Sequence, residues 1–146
     1  MMELSELKAI YDAYGEALAQ AHRKSSIFSG FFGQRSADDP RSHPCNREFY
    51  EKTGDWISRF AASAVDEQRM LEVSRFVLNA AVNNEGRPTY WYFLVSQEYI
   101  TALVPLMMPE SCADLAAEYD RNYPKRRRLP IQDRVYEQLS RRASSR

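Results

Sequence analysis

This chain has little of what most enzyme and metal chemistry needs. Its 146 residues include two histidines and two cysteines, so His22, His43, Cys45 and Cys112 are the whole supply of imidazole and thiol. Structural zinc takes four such ligands at characteristic spacings. His43-Pro44-Cys45 fits none of these spacings, and Pro44 restricts how both neighbours turn toward one ion. Two cysteines so far apart form neither a disulfide framework nor a redox motif, and we expect reduced thiols in a cytoplasmic protein. Nor does any Ser or Cys lie in a strand-to-helix elbow or beside a His with an orienting acid. We therefore expect no metal and no cofactor, and assign no catalytic residue.

Glycine (5) and proline (7) are also scarce and fall mostly at boundaries. With 44% hydrophobic and 27% charged residues, the composition is globular, and the length suits one helical domain over residues 1–146. The opening Met1-Met2-Glu3-Leu4-Ser5-Glu6 has acids where a secretory leader has basic residues and then an apolar run, so no export is implied. The longest apolar stretch, Tyr90 to Met108, is broken by Ser96, Gln97, Glu98, Thr101 and Pro105. A carboxylate at mid-span costs about 2.5 to 3.5 kcal/mol, so we read a buried helix and expect no membrane contact.

What the chain does have is helical periodicity. Leu4, Leu7, Tyr11, Tyr14, Leu18 and Ala21 alternate steps of three and four, which predicts an amphipathic helix of about 20 residues. A second begins at Asn46, read as its N-cap, and buries Phe49, Thr53, Trp56, Ile57, Phe60 and Ala64, with Gly54 at a close approach. Glu48 and Lys52, and Asp55 and Arg59, are spaced for surface ion pairs. Asp66 caps a third helix with Met70, Val73, Val77, Ala80 and Ala81 inward. After the turn residues 83–88, Thr89 caps a fourth, the most apolar, expected at the centre of the bundle and ended by Pro105. Pro109 opens a fifth with Cys112, Leu115, Ala116 and Tyr119 on one face, and Pro130 a sixth with Ile131, Val135 and Leu139 inward. No strand alternation or hairpin signal occurs, and helices two to five share no repeat signature. The expected fold is all-α, a single-domain antiparallel bundle of five or six helices.

Residues 25–45 break the pattern and are expected to form a long inter-helix loop. Its first part carries Ile27, Phe28, Phe31 and Phe32, which either cover the edge of the core or form an exposed surface for a protein partner. We take these four as the partner-binding residues.

Zero net charge conceals two blocks. Residues 1–120 carry 11 basic against 18 acidic side chains, and residues 121–146 carry 9 against 2. The basic segment, 124–146, holds Lys125, Arg126, Arg127 and Arg128 between Pro124 and Pro130, then Arg134, Arg141 and Arg142. It suits an anionic partner or a segment docked on the acidic body. The run also matches a nuclear-localisation pattern, informative only in a eukaryote. The leading expectation is a cytoplasmic, non-enzymatic protein-interaction module, with a protein partner or a second copy of itself. The alternative is a nucleic-acid-binding accessory protein using Lys125, Arg126, Arg127, Arg128 and Arg134, with Tyr119, Tyr123 and Tyr136 near the run and suited to stacking. A weaker one places a small-molecule or enzymatic site around Glu98, if buried.

Overall fold

The computed structural model describes residues 2–63, 65–83 and 90–145 except 33–42; side chains 24–32 and 83 also lie outside the description. Among the described residues there are six α-helices and no strand: α1 Leu4–Phe32, α2 Cys45–Ala62, α3 Glu67–Asn83, α4 Tyr90–Leu103, α5 Pro109–Asn122 and α6 Pro130–Ser144. Short 3-10 turns follow α4 (Val104–Leu106) and α5 (Lys125–Arg127). The fold is all-α, as the periodicity predicts. Two compact units divide the chain, Met1–Trp56 and Ile57–Arg146.

In the first unit, the predicted stripe is buried: Leu7, Tyr11, Tyr14, Leu18 and Ala21. The ring of Phe49 on α2 stacks on Tyr14 at 4.2 Å and meets Tyr11 edge-on at 4.8 Å, both favourable aromatic geometries. Helix α1 is longer than the sequence pattern predicts, running to Phe32 and so into the expected loop 25–45. No proline precedes Pro40, and Ser25, Ser26 and Gly30 are weak helix formers but not obligate stops. Asn46 is not the N-cap either. α2 begins one residue earlier, His43 Nδ1 accepts the Cys45 N–H at 3.1 Å, and buried Asn46 Oδ1 accepts the Tyr14 hydroxyl at 2.6 Å.

In the second unit, Asp66 caps α3 as expected, Oδ1 accepting the Arg69 N–H at 2.8 Å. α4 packs on α3 and α6, and α5 on α3 and α6. Val73, Val77, Val95, Ile100, Leu115, Tyr119, Val135 and Leu139 are buried. α4 is one-faced rather than enclosed: Tyr92, Val95, Ser96, Ile100 and Leu103 are buried while Tyr90, Glu98 and Thr101 are exposed. Buried Ser96 donates to Val77 O (3.1 Å) and Tyr92 O (2.9 Å), and Ser74 donates to Met107 Sδ (3.4 Å), so these hydroxyls enter the core without loss of partners. Pro105, Pro109, Pro124 and Pro130 sit at helix ends. Thr89 and the turn residues 84–88 lie outside the described residues. No described helix is long and apolar enough to cross a membrane.

Candidate functional site at the α5–α6 corner

The basic run divides. Arg128 folds inward, its side chain only 3% exposed. Its Nη2 donates to Asp120 Oδ1 at 2.6 Å, its Nη1 lies 3.6 Å from Asp133 Oδ1, and its guanidinium sits 4.4 Å over the Tyr136 ring. Charge-assisted bonding and cation–π contact both favour arginine here. Lys125, Arg126 and Arg127 instead form a 3-10 turn, all three exposed, with no ion pair to a described residue. The turn is closed by Arg127 N–H to Pro124 O at 2.8 Å. The next helix is fixed by Gln132 Oε1 accepting the Leu129 N–H at 2.7 Å. Arg134, one turn into α6, is exposed, as is Arg121 in the last turn of α5.

Residues 120–134 thus hold six cations against two carboxylates, and both carboxylates face Arg128. The segment is positively charged because its cations outnumber its acids, and both acids are taken up by the one buried arginine.

The tyrosines expected beside the run are spoken for. Tyr119 is buried, Tyr123 meets Tyr119 at 4.8 Å and Phe93 edge-on at 5.7 Å, and Tyr136 lies under Arg128. Burial raises the pKa of the Tyr119 phenol and pushes that of Tyr123 up to about 12. Neither ring is a free stacking platform.

Ile27, Phe28, Phe31 and Phe32 have helical backbone in the last turns of α1, and their side chains lie outside the description. Glu98 is exposed, so the burial required of an acid working there is missing. Among the described residues no three metal-ligating side chains cluster. Burial raises the pKa of the thiols of Cys45 and Cys112. An open groove of about 430 Å³ in the first unit is lined by Ala9, Ile10, Ala13 and Ala17 of α1 and by Cys45, Glu48, Phe49 and Lys52 of α2. Its only charged side chains, Glu48 and Lys52, pair with each other at 2.7 Å.

Comparison with protein families, curated proteins and solved structures finds no match.

One surface went unread in the sequence. Pro105, Leu106 (48% exposed) and Met108 (53%) form an apolar corner between α4 and α5. The corner is held by Arg142 Nε to Met107 O at 3.0 Å and by the Met108 N–H to Glu67 Oε1 at 2.6 Å. The available signal was the run Val104-Pro105-Leu106-Met107-Met108-Pro109, apolar but lying between Pro105, which follows the end of α4, and Pro109, which opens α5.

Proposed function

We propose that this protein is a binding module whose macromolecular partner carries negative charge and docks at the Lys125–Arg127 turn. The observation that carries this reading is the division of the run: Arg128 occupies the local acids, and three cations stay in solvent on a turn bounded by prolines. Docking of the basic segment onto its own acidic residues accounts for Arg128 and leaves the other three without a structural task among the described residues. Holding long charged side chains on a short fixed turn lowers the ordering cost at association, and a local positive field raises the encounter rate. The test is heparin affinity. Lys125→Gln/Arg126→Gln/Arg127→Gln is expected to elute at clearly lower salt than the wild type, while Arg47→Gln/Arg141→Gln shifts little. Co-elution of the triple variant with the wild type overturns the reading.

A second reading, a protein partner or a second copy, is favoured by the apolar corner. Exposed Met and Leu on a hydrogen-bonded connection are suited to an interface core. Light scattering over a concentration series is expected to show self-association that Leu106→Ser/Met108→Ser abolishes. Monomeric wild type throughout, with identical proteins captured by wild type and variant, removes it.

A further inference from the structure

Resting on that reading, we propose that the partner at the Lys125–Arg127 turn is nucleic acid, held by its phosphate backbone without base readout. In a 3-10 turn successive side chains leave the backbone about 120° apart with a rise of about 2 Å, so Lys125, Arg126 and Arg127 diverge, and their long flexible stems can lay the three charges along one extended polyanion more readily than gather them on a single carboxylate. Such a fan matches a polyanion with closely spaced charges, and duplex DNA carries one per roughly 1.7 Å of axis. Arg121 and Arg134, exposed at the adjoining helix ends, extend the same positive corner.

The surroundings separate this partner from the other anionic surfaces. A protein interface draws its affinity from a desolvated apolar centre, and the turn offers Leu129 at 43% exposure between exposed prolines Pro124 and Pro130. A membrane surface needs an apolar helix face to insert beside the cations, and Ile131, Val135 and Leu139 of α6 are buried. Phosphate contacts supply essentially all of non-specific nucleic-acid affinity without such a centre. Base stacking is closed off at this corner because Tyr119 and Tyr123 pack against each other and Tyr136 is covered by Arg128. The cations stand on a three-residue turn rather than on a helix or ribbon that enters a groove to read base edges, so binding is expected to be independent of sequence, and at least as tight to duplex as to single strands, since duplex has the denser charge.

The experiment is fluorescence anisotropy with labelled 20-mer DNA, duplex and single-stranded, in two unrelated sequences. Poly-glutamate and vesicles of anionic lipid serve as competitors. Three phosphate contacts give a log–log salt slope of about −2.7, so affinity is expected to fall about 40-fold between 50 and 200 mM salt. Lys125→Gln/Arg126→Gln/Arg127→Gln is expected to lose at least tenfold affinity at 50 mM salt with unchanged circular dichroism, because none of the three supports the fold. Equal binding by this variant, or a strong preference for one sequence, overturns the inference. If poly-glutamate or vesicles compete better than DNA, and through the same three residues, nucleic acid is wrong and the anionic-partner reading stands. If no polyanion binds at 50 mM salt, both fall.

Discussion

Arg128 reaches across eight residues to Asp120, Nη2 to Oδ1 at 2.6 Å, and so leaves the basic run to which it belongs by sequence. Asp120 is half exposed, at 52%, and regains water when the arginine is removed, so the loss is moderate. Arg128→Ala is expected to lower unfolding free energy by about 2 kcal/mol, from one charged hydrogen bond and the Tyr136 contact. Arg128→Lys should recover less than half of this, because an ammonium cannot both fork between Asp120 and Asp133 and lie flat on the ring. Urea unfolding of the wild type and both variants measures it; full rescue by lysine contradicts the geometry.

Tyr119 and Tyr123 predict an alkaline limit. A phenol of raised pKa stays protonated in the folded state while the unfolded chain ionises from the ordinary value of 10.0. Above that pH the folded state binds more protons, so stability is full below about pH 10 and falls by about 1.4 kcal/mol per pH unit for each such group. For Tyr123 the loss continues to about pH 12. Tyr123→Phe is expected to flatten the decline, read as melting temperature from pH 9 to 11.5. A slope identical to that of the wild type counts against the burial of its hydroxyl.

Gly15 lies inside α1, and a β-carbon built there meets nothing within 4 Å. Gly15→Ala is expected to stabilise the protein by about 0.5 to 1 kcal/mol through reduced chain entropy and better helix propensity. Any loss of stability, measured by thermal unfolding, indicates an unseen close approach at that point.

Glu118 on α5 ties α3 in place. Its Oε1 accepts from Asn79 Nδ2 at 2.6 Å and its Oε2 from Arg75 Nε at 2.9 Å, while Asn122 Nδ2 donates to Asn79 Oδ1 at 2.5 Å. Glu118→Ala removes acceptors from two donors at once and is expected to cost about 2 kcal/mol. In a double-mutant cycle the Asn79→Ala and Glu118→Ala effects should fall short of additive by at least 0.5 kcal/mol. Strict additivity means that the network does not act as a unit.

The buried thiols give a chemical counterpart. Cys45 lies in the first unit and Cys112 in the second, both buried and with raised pKa. A thiol reagent is expected to modify both far more slowly in native buffer than in denaturant, since the thiolate is the reactive form. Modification of Cys112 at the rate of a free thiol rules out its burial.

The stripe of α1 and the starts of α3, α5 and α6 were legible in the sequence because each follows from neighbours: three-four spacing, an Asp before a helix, a proline at a first position. What escaped was decided at longer range. Asn46 resembles a cap by type, but Tyr14, far up the chain, claims its side chain. Arg128 looks like its neighbours, and only the packing of α5 on α6 gives it Asp120 and Tyr136. The end of α1 is ambiguous for a local reason: Ser25, Ser26 and Gly30 suggest a break, yet Ile27, Phe28, Phe31 and Phe32 recur at steps of one, three and one, a helical spacing, and the helix runs on to Phe32. The apolar corner was hidden because Leu106 and Met108 carry the composition of a core in a position that leaves them outside.

The exposed turn between Pro124 and Pro130 also presents three residues after which trypsin cleaves. Cleavage after Lys125, Arg126 or Arg127 would cut the backbone between α5 and α6 while Ile131, Val135 and Leu139 still hold α6 in place. A nicked protein that keeps its shape, and a bound partner that shields the nick, would make this corner a footprint that a protease can read.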